Sequence, residues 1–449
     1  MRPSGRPRPQ FTTPLTSVEI CAGAGGQAVG LHDAGFDHRA LVEWDAHAVR
    51  TLSANVGGWP GWTQERADAL EPMDVKEFLG SKVHADLRLK EGDLDLLAGG
   101  VPCPPFSLAG KRLGKDDERD LFPDALRIVR ALKPKAVMIE NVRGILEPPE
   151  VFIDYRKYIL SELRESGYEV PEVEDHWLPE KQDLEMRSVW RRLDARDFGV
   201  PQLRPRAILV AIRKDVLSES GADFVWPRRL EGPQATVLGE LHDSMKLRCE
   251  QFWDKNWKGE KAKPDQRTGE QVFEKWVTDA SKAVEFGKCV APTLVGGSKK
   301  HGGADLGPTR AKRAWSDLGI DAMGVANDPE HCDPERDLFR AAGPMLTVEQ
   351  AATIQGFPDG WKFQGKKTAK YRQVGNAFPP PVAEAVGRAI AAVLRPDHRD
   401  ELLEAYEMDR QGGETSQNAA EQMSLPVSGV PRIRSARKDR RGDYVSTGS

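Results

Sequence analysis

Short apolar runs alternate with helix-length segments from residue 17 to residue 212, and this alternation constrains the fold more than any other feature of the chain. Runs at 17–21, 40–44, 94–98 and 136–140 read as strands, with two more at 189–193 and 207–212 around a Gly/Pro turn. Between them, 26–34, 45–55, 121–132 and 151–166 read as helices. Consecutive strands joined by helices run parallel, because each crossover returns the chain to the same end of the sheet. The expected fold class is therefore α/β, a doubly wound, mostly parallel sheet. Helical spacing returns at 347–355 and 381–394, so the large domain is discontinuous in sequence.

The 449 residues then divide as follows. Residues 1–14, rich in Pro, Arg and Gly, are expected to be a disordered arm. Residues 15–213 plus 341–395 form the large domain, and 214–340, with no clear period, a smaller irregular one. Residues 396–449 start helical, then turn polar, and are expected to be mostly a disordered tail. No apolar run approaches the ~20 residues of a membrane span, and 1–10 lack the apolar stretch of a secretory leader. Cys21, Cys103, Cys249, Cys289 and Cys332 are odd in number and include no Cys-x-x-Cys pair. Neither a disulfide framework nor a metal site is expected, and a reducing cytoplasm is.

Two clusters at the carboxyl ends of the expected strands carry chemistry. The run from Cys21 to Gly26, Cys-Ala-Gly-Ala-Gly-Gly, follows the first strand and opens the first helix, where glycines let a ligand approach the backbone. It is neither a dinucleotide fingerprint nor a phosphate-binding P-loop. About 20 residues on, Glu43 ends the second strand, where a carboxylate can hydrogen-bond a ribose. Trp44 offers a flat face for a purine, and Asp68 a polar contact to its edge. Each has a plainer role open to it: solvated strand end, core tryptophan, helix cap. Together they suggest a nucleoside-containing cofactor other than a dinucleotide.

The second cluster begins where a buried strand runs through Gly99-Gly100 into Val101-Pro102-Cys103-Pro104-Pro105. Flanking prolines fix the backbone of a cysteine at the ligand end of the sheet, which suits an aimed nucleophile. The next strand ends in Glu140-Asn141-Val142, at the same edge. Gln202, Arg204 and Arg206 alternate, so in a strand they would share one face and need a polar partner there.

In these motifs the chain resembles the cytosine-C5 DNA methyltransferases of bacterial restriction–modification systems. The likeness covers most of 17–213 and 341–395, and ends with Gln355-Gly-Phe-Pro358 and Gly375-Asn376-Ala-Phe-Pro-Pro380. Departures are local. Glu19 and Cys21 stand where Asp and Phe are usual, Val101 where a second proline is common, Pro104 for Gln and Phe378 for Val.

The resemblance implies S-adenosylmethionine as cofactor, held by Cys21, Gly23, Ala24, Gly26, Glu43, Trp44, Asp68, Pro102 and Asn376. It implies Cys103 as nucleophile on C6 of a flipped cytosine and Glu140 as proton donor at N3. Arg206 would hold O2, with Arg204 and Gln202 bracing strand and loop. The base that removes the C5 proton is not named by the sequence. A lid is expected over 107–120, and target recognition in 214–340, where 296–303 is a glycine loop carrying two Lys and a His. The implied partner is double-stranded DNA, with a cognate restriction endonuclease as a further one. A monomer in the cytoplasm at the nucleoid is expected. A tRNA methyltransferase on the same scaffold, or an inactive DNA-binding regulator, are the alternatives.

The net charge of −4, from 65 Lys+Arg against 69 Asp+Glu, argues against a nucleic-acid partner only as an average. Positive charge gathers at 111–115, 204–206, 288–313 and 432–441.

Overall fold

The computed structural model describes residues 6–102, 120–296 and 304–409. Seven strands form the main sheet: β1 (Leu15–Ile20), β2 (Phe36–Val42), β3 (Leu96–Gly100), β4 (Ala136–Val142), β5 (Tyr168–Glu169), β6 (Trp190–Asp194) and β7 (Pro205–Arg213). Their order is β2-β1-β3-β4-β7-β5, with β6 also on β7. β2, β1, β3 and β4 are mutually parallel. β7 runs antiparallel to β4, β5 and β6, so it alone is reversed and the sheet is mostly parallel as expected.

Period-two alternation sends successive side chains to opposite faces, and both faces are covered. Val137 and Ile139 of β4 join Ala207, Leu209 and Ala211 of β7 in one cluster, capped by the helices Phe122–Leu132 and Pro149–Glu165. Ala136, Met138, Ile208, Val210 and Ile212 pack on the other face, under the helix Pro380–Leu394. That helix is buried along its whole length, so a segment from near the end of the fold completes the layer begun by Gly26–Asp33. Cutting a large buried side chain here to Ala would cost about 2–5 kcal/mol. Helix starts follow local chemistry: Asp45 accepts from the N–H groups of His47 and Ala48 to cap Ala46–Val56. Thr347 and Gln350 form a capping box at Val348–Gln355.

Several expectations are corrected. β2 starts at Phe36, not 40, because the His38 side chain is buried and masks the apolar pattern. Residues 6–14 are docked rather than a free arm: Pro9 is buried and Arg8 pairs with Asp37 and donates to the His32 carbonyl. Residues 396–409 belong to the fold, because β9 (Tyr406–Met408) pairs with β8 (Pro227–Leu230). The helix Lys367–Asn376 was not anticipated. Boundaries at 213 and 341 do not match the packing. Val216 and Trp226 belong to the sheet core, while Val348, Ile354, Tyr371 and Val374 pack with the helices Val237–Glu250, Gly269–Glu285 and Thr309–Asp317. The described residues through Asp409 lie in one compact unit. No described helix is long and apolar enough to cross a membrane.

His38 yields a pH prediction. Its Nε2 lies 2.9 Å from the Ala28 carbonyl oxygen, which can only accept, so Nε2 carries the proton and Nδ1 accepts from the Ser17 hydroxyl at 2.9 Å. Burial pushes its pKa down from 6.5 to about 4. The unfolded chain takes up this proton first, so the stabilisation is complete above pH ~6.5 and is lost as pH falls toward 4, by up to about 3 kcal/mol. Thermal melts over this range should show a shallower acid slope in His38→Gln than in the wild type. Equal slopes would assign the effect to other groups.

Candidate active site

The parallel strands bring their carboxyl ends to one edge of the sheet, and the start of antiparallel β7 lies there too. At the β1–β2 end the loop 21–26 turns through positive φ at Cys21, Gly23 and Gly25. Gly25 caps the helix Gly26–Asp33 in the left-handed region, with Leu52 and Trp361 each 2.9 Å from where a Cβ would stand. A Cβ on Gly26 would strike the Phe378 carbonyl oxygen at 2.2 Å, so the loop is packed tightly from below. On Gly23 a Cβ would meet nothing within 4 Å, so the loop is open on that side.

Glu43 is buried directly after β2. Its Oε2 accepts from the Gly23 N–H at 2.7 Å, and its Oε1 from the Trp44 and Asp45 N–H groups at 2.9 and 2.8 Å. Burial raises its carboxyl, and the three N–H groups oppose this by favouring the charged form. The carboxylate is thus fixed in direction, with lone pairs left for a hydroxyl-bearing ligand. Beside it Trp44 is 77% exposed. Asp68 ends the helix Gln64–Asp68 and hydrogen-bonds Gln64 at 2.8 Å and Ser53 at 3.4 Å. Ala24 is buried, and its carbonyl accepts from the Trp361 indole N–H at 3.1 Å. Asn376 is exposed at the end of the helix Lys367–Asn376.

At the β3–β4 end, Gly100 is in register with Glu140. A Cβ on Gly100 would lie 3.3 Å from Glu140 Oε2. The chain is held as it leaves the sheet. Asn141 donates to the Val101 carbonyl at 2.8 Å, and Leu121 N–H to that of Pro102 at 3.3 Å. Where description resumes, Asp120 accepts from the Tyr155 hydroxyl at 2.6 Å. Cys103 and the segment 103–119, with most of the anticipated lid, lie outside the described residues, as do 297–303 and the tail from 410.

Glu140 Oε1 lies 2.8 Å from Arg206 Nε, each side chain 13% exposed. Burial raises the Glu140 carboxyl above the usual carboxylate range, against the pull of Arg206 and Arg204. The guanidinium also donates to the Pro205 carbonyl at 2.9 Å, leaving part of its fork for another acceptor.

The expected common face of Gln202, Arg204 and Arg206 is not observed. β7 begins at Pro205, so only Arg206 lies in the strand and reaches Glu140. Gln202 and Arg204 precede it, fully buried, and bond to 294, 354–355 and 375–377. Ahead of the strand, a short parallel bridge pairs Gln202 with Ala291. Arg204 therefore acts through backbone carbonyls. Sequence reasoning missed Trp361 and, as a contact of Gln202, Gln355; both meet residues more than 150 positions away, and no local pattern signals this.

Burial pushes the thiols of Cys21 and Cys249 up, the latter to about 11. Among the described residues no three His, Cys, Asp or Glu are grouped to hold a metal ion.

A family model described as C-5 cytosine-specific DNA methylase matches residues 15–392. The chain is 46% identical over 383 residues to the Type II methyltransferase M.NaeI of Lentzea aerocolonigenes, covering 85% of this chain and 75% of that protein. It is 39% identical over 392 residues to the Type II methyltransferase M.NgoMIV of Neisseria gonorrhoeae, covering 86% and 99%. With the Type II methyltransferase M.Eco47II of Escherichia coli it shares 32% identity over 387 residues, covering 84% and 79%.

Proposed function

The chain belongs to the C-5 cytosine-specific DNA methylase family, and from that premise we propose that Cys103, Glu140 and Arg206 carry out methylation at C5 of a cytosine flipped out of duplex DNA. The enzyme is a DNA (cytosine-5-)-methyltransferase. C5 of cytosine is a weak nucleophile. Addition of the Cys103 thiolate to C6 forms a C–S bond and moves electron density onto C5. Charge that develops on the ring is offset by a proton from Glu140 to N3, and burial, by raising this carboxyl, favours the acid form that the step needs. Arg206, anchored by Glu140, donates to O2. After transfer a base removes the C5 proton, and the returning electron pair expels the Cys103 thiolate. In a duplex, C6 is stacked, so the base must leave the helix first.

S-adenosylmethionine, when bound, supplies an electrophilic methyl on a sulfonium. The loop fits such a group: Gly23 faces open space, Glu43 is aimed by three N–H groups, and the Trp44 face is uncovered. Gly23, Ala24, Gly26 and Cys21 would cradle it, Glu43 would take its ribose, Trp44 and Asp68 its base, and Pro102 and Asn376 its remainder. Residues 214–340 would read the target sequence, with the root at 294–296 carrying the Lys/His loop to the DNA. The relatives are named Type II methyltransferases, which supports the further reading that the enzyme protects DNA against a partner endonuclease of the same specificity; action as a monomer on cytoplasmic DNA at the nucleoid is part of the same proposal.

One observation carries the catalytic assignment. Gly100, three residues before Cys103, pairs with Glu140, and Arg206 closes on the same carboxylate. Bisulfite sequencing of DNA and tRNA from cells expressing the wild-type protein, with Cys103→Ser as the comparison, tests it. Conversion-resistant cytosines in one short sequence context are expected. No resistant cytosine, or resistance confined to tRNA, would overturn the reading.

A further inference from the structure

The helices Val237–Glu250 and Gly269–Glu285 are joined by 251–268, which fold into a small hairpin around Asn256. The Asn256 N–H donates to the Glu260 carbonyl at 2.9 Å, and the Ala262 N–H to that of Asp254 at 3.1 Å. Asn256 is buried, and its side chain fixes the turn. Its Oδ1 accepts from the Lys258 and Glu260 N–H groups at 2.9 and 3.2 Å, and its Nδ2 donates to Gln266 Oε1 at 3.0 Å.

Between the two backbone bonds Lys255 stands directly opposite Lys261 in an antiparallel bridge. This is a non-hydrogen-bonded pair, the kind whose side chains stand closest, with Cβ atoms about 5 Å apart. Alternation turns Asp254, Asn256 and Glu260 to the other face. Among the described residues no carboxylate pairs with Lys255, Lys258 or Lys261. By contrast Lys246 and Lys275, on the flanking helices, each pair with an acid one turn on. Like charges directly opposite destabilise a hairpin, so this pair costs stability unless an anion sits between the ammonium groups. At the tip Trp257 is 40% exposed, and Lys258 Nζ lies 5.2 Å from its ring centre.

The hairpin is remote from the reacting groups. The Val237 N–H donates to the Cys289 carbonyl, two residues before the Ala291–Gln202 bridge that precedes Arg206. From there the 14-residue helix rises about 20 Å to the hairpin. Val348–Gln355 runs beside it in the opposite sense, with Gln355 bonded to Gln202 and Gln350 to Arg248. A span of that length equals about six base pairs of duplex.

We propose that this hairpin grips the phosphate backbone of duplex DNA outside the sequence that is methylated, with a phosphate oxygen between Lys255 and Lys261 and Trp257 packed on the adjoining sugar. Lysine ammonium groups are compact point charges suited to phosphate. Such contacts position a duplex without reading its bases, so this part of 214–340 adds affinity and not specificity. A lipid surface would call for a broad apolar face, and the tip offers a single half-covered indole. The proposal rests on duplex DNA being the substrate.

The test is DNA binding by fluorescence anisotropy over a salt series. Two duplexes carry the site found by bisulfite sequencing, one with about four base pairs on each side and one with about twelve, and a third, long duplex lacks the site. Lys255→Ala/Lys261→Ala should weaken binding to both long duplexes roughly tenfold at low salt, and lower the slope of log K against log salt by about two. On the short duplex it should match the wild type. Its preference for the long duplex with the site over the one without should stay within about twofold of wild type. Lys255→Arg/Lys261→Arg keeps both charges and should keep the slope. The alanine variant loses a repulsion, so it should melt no lower than the wild type, which separates lost binding from lost fold. Equal slopes for wild type and the alanine variant on the long duplexes overturn the proposal, whether or not binding to vesicles of anionic phospholipid is lost. So does an equal loss on the short duplex, a changed site preference, or a slope lost in the arginine variant as well. The duplex without the site needs no turnover, so failure here is separable from failure of the methylation reading, which is judged by 5-methylcytosine alone.

Discussion

Cys103→Ser is expected to lower methyl transfer by roughly ten-thousand-fold or more, while S-adenosylhomocysteine binding stays within about twofold. A serine hydroxyl does not ionise near neutral pH, so addition to C6 fails at the first bond. The cofactor side should be untouched, because Glu43 and the glycine loop are held by their own hydrogen bonds. A duplex containing 5-fluorocytosine adds a sharper readout. Fluorine at C5 cannot leave as a proton does, so the enzyme should stall covalently after transfer, and mass spectrometry should find the adduct on the peptide bearing Cys103. An adduct on Cys21 or Cys249 would sink the assignment. Neither is suited to attack, since burial pushes both thiols up.

The second large effect is at Glu140. Glu140→Gln keeps the volume and a donor to the ring but cannot transfer a proton, so kcat should fall roughly 10²- to 10⁴-fold with a smaller change in KM for DNA. The pH dependence gives the direction of the role. Burial raises this carboxyl, and the adjacent Arg206 and Arg204 restrain the rise without cancelling it. The acid form is needed, so wild-type activity should decline as pH rises through the elevated pKa, and Glu140→Gln should lack this limb. If the variant keeps it, the limb belongs to another group. Stability follows the same sign. The folded state holds this proton more tightly than the unfolded chain, so ionising Glu140 costs stability as pH rises above the ordinary carboxylate range, opposite to His38.

How far the site was legible depended on the range of its contacts. Glu43, Glu140 and the loop 21–26 were readable because each lies near or just past the carboxyl end of a strand of its own, and parallel strands deliver such residues to one edge. The start of β2 was hidden, because His38 is satisfied by Ser17 and by Ala28 and looks polar only in sequence. Alternation at 202, 204 and 206 suggested one face, yet the first two precede the strand, with Gln202 in a bridge to Ala291. Residues 396–409 looked like the start of a tail because their strand has its partner at 227–230.

Local periodicity and strand-end chemistry thus determined by themselves the α/β class, the edge that carries the site and the residue types placed there. These depend on neighbours along the chain and on the fixed geometry of parallel crossovers. Only the tertiary structure decided that Arg206 meets Glu140 while Arg204 turns to Leu294, Gly375 and Ala377, and that Trp361 closes on the glycine loop. Those pairings join residues separated by 66 to 337 positions. They are set by which buried donors find acceptors once the core has closed, and no spacing in the sequence encodes that choice.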